Sequence, residues 1–267
     1  MIPKIIHYCW FGGEKPKEVE DCMKTWNILS DYTVKEWNED NCTFNENDFV
    51  RVAAENKRWG YIGDYYRYLA LYNEGGIYLD TDVVMINKFD SLLEQGGFIG
   101  YIFDSGMGTA VLGFKKGHPL LRLLLETYNN VIWKDEFHFE AVFPSGRKML
   151  CKVSNDLLTG LLLDVYPDFK LNGLQQKVGN DLLVLPKEEL ELGYIRHGKG
   201  YCIHKCTGLW DKMNTKKKIY AIIKKTASLM PGINWDILIR TISYKKRNKQ
   251  TPFYYRYIQD REIKHGK

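Results

Sequence analysis

No run of about 18 apolar residues occurs anywhere in this chain, so no stretch has the length and hydropathy of a membrane span. The amino end also lacks the charged, then apolar, then small-residue pattern of a secretory leader. Cysteine is scarce and unpatterned. The six (Cys9, Cys22, Cys42, Cys151, Cys202 and Cys206) form no regular framework in 267 residues. That argues against a disulfide-stapled scaffold and leads us to expect reduced thiols in a cytoplasmic setting. Cys202-x-His204-x-Cys206 supplies only three ligands, at a spacing unlike structural zinc sites. No glutamate pair stands in a glycosidase-like context, which removes the support for covalent double displacement. No nucleic-acid-binding module accompanies the basic residues, so nucleic acid is not expected as a partner.

What is present describes a folded globule with an uneven charge. Apolar residues make up 45 % of the chain, and glycine, tryptophan and tyrosine are spread throughout. That is enough to bury a sizeable core. The net charge is +5. From Met213 onward, 14 Lys or Arg stand against three acids, a surplus of 11 that leaves the first 212 residues at −6. The expected organisation is therefore an acidic body over 1–212 and a basic extension over 213–267.

The chain is organised around residues 61–86, YIGDYYRYLALYNEGGIYLDTDVVMI. The spacing predicts a helix that carries Asp64 and Arg67 on one face near its start. Gly75-Gly76 should stop that helix, because positive φ costs glycine least. A short apolar strand, Ile77-Tyr78-Leu79, then runs into Asp80-Thr81-Asp82. Side chains i and i+2 of a strand point the same way. Two such carboxylates at a frayed strand end are suited to share one hard divalent cation, with phosphate oxygens among its other ligands. Asp-x-Asp triplets are common as solvated turns; here the helix, the glycine pair and the apolar strand around it favour a metal-diphosphate site.

Those residues, GDYYR and GGIYLDTD, resemble the DXD region of glycosyltransferase family 32. The opening IPKIIHYCWFGG is similar to that family's first strand, and GYCIHKCTGLW to its closing motif, so the likeness spans about residues 1–211. The resemblance implies a GT-A-type α/β fold, with a mixed, mostly parallel sheet and flanking helices. It implies Mn²⁺ or Mg²⁺ on Asp80 and Asp82, with His204 completing the shell or touching phosphate. Trp10 would stack on the base, Tyr78, Asp64 and Arg67 would line the nucleotide-sugar site, and Trp210 would close over the diphosphate. Asp64, Arg67, Asp80 and Asp82 are then the catalytic set. The donor would be a nucleotide-sugar, with UDP favoured, and the acceptor a saccharide or polyprenyl-linked saccharide. Retention of configuration and a role in capsular polysaccharide synthesis follow from the same likeness. Thr109 and Leu209 depart from the family pattern, which has Asn and Ser at those places.

Taken in order, Pro3–Trp10 reads as a buried first strand, 17–29 as a helix, 32–37 as a strand and 49–54 as a helix ending near Trp59-Gly60. Further strands are expected at 83–86, 97–102 and 108–114, and a helix from His118-Pro119 through Tyr128, with proline at its tolerated first turn. A helix over 155–163 and strands at 182–185 and 201–206 complete the reading. In such α/β sheets ligands sit at the carboxyl ends of strands, where Trp10 and the aspartate pair both fall. From the residues alone Trp10 and His204 each also fit a structural role, and His7 reads as a core or backbone-bonded histidine. The extension, with KKKIYAIIKK and a second apolar set from Trp235 to Ile242, fits either a helical hairpin on the core or contact with an anionic membrane surface. The location expected is cytoplasmic, peripheral at the inner face of the membrane. Two other readings are open. One is a sugar-nucleotide-binding protein without turnover; the other is a haloacid-dehalogenase-type phosphatase with Asp80 as nucleophile.

Overall fold

The computed structural model describes residues 1–192, 200–207 and 235–262. Strands β1 (Ile5–Cys9), β2 (Thr33–Trp37), β3 (Gly76–Leu79), β5 (Gly97–Phe103), β6 (Gly106–Phe114), β10 (Gln176–Val178) and β11 (Leu182–Leu185) form the central sheet. Its order is β10-β11-β5-β6-β3-β1-β2. β2, β1 and β3 pair in parallel, as do β11 and β5, whereas β6 and β10 run antiparallel to their neighbours. Most strands thus share one direction, as the GT-A-type α/β expectation requires. β1, β3 and β5 end on the same edge of the sheet, which is where the candidate site lies.

Alternation along the strands builds a core on each face. Tyr78, Ile99, Leu182 and Val184 join one cluster, and Ile77, Leu79, Phe98, Leu183 and Leu185 the other. The first face is covered by α2 (Asp48–Glu55), α3 (Trp59–Glu74), α4 (Pro119–Asn129) and α5 (Ser154–Val165), whose apolar residues enter that cluster. The second face is covered by α1 (Lys17–Met23), the 3-10 turn Lys24–Leu29 and α6 (Lys187–Leu190). A small sheet of β7 (Ile132–Trp133), β8 (Phe139–Val142) and β9 (Lys148–Cys151) flanks the first core, inside the stretch that is hardest to read from sequence. β4 (Val83–Met85) pairs with β12 (Cys202–His204) in a separate ribbon.

Several local expectations change. Trp59-Gly60 opens α3 rather than closing α2, because Asn56 caps α2 and Lys57 turns the backbone at φ 53°. The 17–29 helix tightens to a 3-10 turn after Met23, and the strand expected at 201–206 is three residues long. The glycine pair behaves as expected: α3 stops at Glu74, with φ 70° at Gly75 and 114° at Gly76. His7 is fully buried and bonded as foreseen. Its Nε2 pairs with the Gly75 carbonyl at 2.9 Å, and its Nδ1 takes the Trp37 indole N–H at 3.2 Å. Since Nδ1 accepts, Nε2 carries the proton.

The end of the chain returns to the body. Phe253 and Tyr257 are buried in the first core, and the Asp260 carboxylate accepts the Leu171 N–H at 2.8 Å. The extension residues 216–225 lie outside those described. No described helix is long and apolar enough to cross a membrane.

Candidate active site

Three long-range pairings assemble the site. β1 and β3 lie side by side with Ile6 opposite Ile77 and His7 opposite Tyr78. Trp10 follows the end of β1 and Asp80 the end of β3, on the same edge of the sheet. β6 flanks β3 on its other side, where the Ala110 carbonyl accepts the Asp80 N–H at 2.8 Å. β12 pairs with β4 so that His204 opposes Val83, next to Asp82 in sequence.

The aspartates are not on a strand. β3 ends at Leu79, and Asp80-Thr81-Asp82 is a tight turn closed by the Val83 N–H on the Asp80 carbonyl at 3.0 Å. The turn, not strand alternation, brings the carboxylates together. One ligand atom from each of Asp80, Asp82 and His204 lies within 4.8 Å of the other two. Asp82 uses Oδ2 to accept the Thr207 N–H at 2.8 Å and its hydroxyl at 2.9 Å, which turns Oδ1 toward His204 Nε2 at 3.3 Å. Burial works against an ionised Asp82, but hydrogen bonds from His204 and Thr207 outweigh it and hold its pKa well below the usual carboxylate range. Burial likewise opposes a charge on His204. Cys206, Glu191 and Asp82 together overcome that and keep its pKa well above the ordinary histidine value. Glu191 is buried and holds Nδ1 at 2.7 Å.

Arg67 forms the floor. It is buried, with Nη2 on the Asp64 carboxylate at 2.7 Å and Nη1 3.5 Å from Asp80. Nη1 also donates to the Thr109 carbonyl, and Nε to the Gly63 carbonyl at 3.3 Å. Thr109 is thus close to the site, through its backbone. Asp64 also accepts the Ser154 N–H at the start of α5, and burial, with Asp80 nearby, lifts its pKa to about 6 despite Arg67. Tyr78, expected to meet the ligand, is buried instead, its ring 4.8 Å beneath the Arg67 guanidinium. Its strand position turns it into the core, so any contribution passes through Arg67. Trp10 is partly exposed, packs against the second core, and has its indole N–H fixed on the Gly13 carbonyl at 2.6 Å. Trp210 and Leu209 lie outside the described residues.

The donor set suits a divalent cation. Two carboxylates favour Mg²⁺ or Mn²⁺, and an imidazole is well tolerated by the latter. The Thr207 and Glu191 contacts are the kind of outer support that orients metal ligands. Glu191 carries no signal in the sequence, whereas Thr207 lies inside the closing motif, where its hydroxyl is the only sign of a role. Cys202 stands apart, its thiol on the Leu190 carbonyl. Cys206 instead approaches His204 and Glu191.

Residues 16–99 match the family described as glycosyltransferase sugar-binding region containing DXD motif. Residues 16–99 are thus similar to a DXD glycosyltransferase sugar-binding region, and the resemblance read in the sequence holds over that stretch. Over 148 residues the chain is 32 % identical to inositol phosphoceramide mannosyltransferase 3 of Schizosaccharomyces pombe, covering 54 % of this chain and 40 % of that protein. It is 26 % identical over 132 residues to mannosyl phosphorylinositol ceramide synthase CSH1 of Saccharomyces cerevisiae, covering 48 % and 35 %. The chain thus spans less than half the length of these two curated relatives. Among solved structures, a glycosyltransferase involved in the glycosylation of the major capsid of PBCV-1 aligns over 82 % of this chain and 100 % of its own, at 13 % identity and TM-score 0.43. The PaToxG glycosyltransferase aligns over 61 % and 68 %, at 18 % identity and TM-score 0.42. The matched region holds the Asp64–Arg67 pair and both aspartates of the turn, whereas Trp10 and His204 fall outside it.

Proposed function

We propose that this protein is a metal-dependent glycosyltransferase that moves a sugar from a nucleotide-sugar, UDP-linked by preference, to a saccharide or lipid-linked saccharide. The observation that carries this reading is the convergence of Asp80, Asp82 and His204 at the sheet edge, with Arg67 beside Asp80. Asp80, Asp82 and His204 would hold Mn²⁺ or Mg²⁺, whose role when bound is to neutralise, as a Lewis acid, the charge growing on a diphosphate leaving group. Arg67 adds fixed positive charge that needs no reorganisation during reaction. Asp64, pinned by Arg67 and the α5 N–H, is poised to accept hydroxyl groups of ribose or sugar. Trp10 offers an aromatic face for the base. Retention of configuration, and a capsular role at the cytoplasmic face of the membrane, belong to the same proposal. The names of the two yeast relatives add a mannose donor and a lipid acceptor to the candidates.

A panel of sugar nucleotides, including mannose-bearing ones, tests this through slow donor hydrolysis with Mn²⁺. At least one donor should release sugar only with the metal, and Asp82→Ala should abolish release. Nucleotide-sugar affinity without release from any donor would instead establish a binding protein and refute the transferase.

A further inference from the structure

The far end of the chain presents two chemically different faces. Inward, Asn248 is buried and laced to the β5–β6 turn: its side-chain oxygen accepts the Ser105 N–H at 3.0 Å, and its carbonyl the Ser105 hydroxyl at 2.8 Å. Tyr244 packs its ring 5.3 Å from Phe103 and under Lys187. Phe253 and Tyr257 complete this attachment in the core. Outward, the helix Trp235–Asn248 shows Ile242, Lys245 and Lys246, continued by Lys249 just beyond its end. That i, i+3, i+4, i+7 spacing is one helical stripe. Ile242 is 61 % exposed, and Tyr255 on the following helix is 84 % exposed. None of the three lysines has an acidic partner among the described residues.

We propose that this outer stripe is a docking surface for an anionic lipid bilayer. Clustered lysines with no acidic partner among the described residues, sharing a helical stripe with an exposed isoleucine, match anionic headgroups over an apolar layer, with charge attracting and the apolar side chain inserting shallowly. The stripe is rigidly placed, because the inward face of the same segment is fixed by Ser105 and Phe103. Its location gives the docking a use. Phe103 ends β5 on the same sheet edge where β1 and β3 deliver Trp10 and Asp80, so a bilayer on the stripe lies toward the site end of the molecule. That use, presenting a lipid-carried acceptor, rests on the transferase reading; the docking itself does not.

Vesicle flotation of the full chain tests the surface. The chain should bind phosphatidylcholine vesicles containing about one-third phosphatidylglycerol at about 0.1 M salt, and release them near 1 M, where screening is almost complete. It should ignore pure phosphatidylcholine. Each lysine near such a surface is worth roughly fivefold, so Lys245→Gln/Lys246→Gln/Lys249→Gln should weaken partition by about a hundredfold. Ile242→Ser should weaken it further. Both variants should keep donor hydrolysis, and Asp82→Ala should keep vesicle binding, so the two readings fail separately. Equal binding to neutral vesicles, or a triple variant that binds as wild type, would overturn the proposal. So would tighter binding to an RNA duplex at the same salt, lost with the same lysines.

Discussion

Replacing Asp64 by asparagine should make the protein more stable at pH 8 while impairing its site. The Asp64 carboxyl is enclosed between α3 and the start of α5, 14 % exposed, and its pKa rises from 3.8 to about 6. Burial is the main cause, and the Asp80 charge adds to it; the Arg67 guanidinium only partly compensates. The folded state therefore holds this proton more tightly than the unfolded chain does. The resulting stabilisation is complete below about pH 4 and is lost as pH rises through about 6. Two pKa units correspond to about 3 kcal/mol between the protonated and ionised forms. Asparagine imitates the protonated form and still offers an oxygen to Arg67 and to the Ser154 N–H. Urea unfolding of wild type and Asp64→Asn should show no difference near pH 4 and an advantage of about 3 kcal/mol for the variant at pH 8, with lower donor hydrolysis. A difference independent of pH, or a variant less stable at pH 8, would show that burial does not govern this carboxyl.

Two further outcomes follow from single contacts. Thr207→Val removes one of the two hydrogen bonds that orient Asp82, so Mn²⁺ affinity by calorimetry should fall about tenfold while the urea midpoint stays unchanged. Gly76→Ala should destabilise the fold by about 1–3 kcal/mol in the same unfolding assay, because φ is 114° there and a Cβ would sit 2.6 Å from the Ile5 carbonyl oxygen.

The elements of the body that follow from local rules are legible in the chain. Helix α3, its glycine stop, the apolar β3 and the proline-started α4 each rest on periodicity or on a residue with restricted backbone, and each lies close to where the spacing puts it. Local rules are weakest over 131–200, where the short strands β7–β9, with mixed faces, give no clear period. They also gave the wrong reason for the aspartate pair, since two residues past a strand end can turn as easily as extend.

By itself the sequence determined an α/β body, the Asp-x-Asp turn after an apolar strand, and a basic end, because backbone propensity and alternation are properties of neighbouring residues. Only the tertiary structure decided which distant groups share the site. His204 reaches Asp82 because β12 pairs with β4, Glu191 reaches His204 beside the Leu192–Ile203 bridge, and Tyr78 sinks beneath Arg67 because its strand faces the core. Those meetings depend on pairing and burial between segments more than a hundred residues apart in places, and no local pattern encodes such partners.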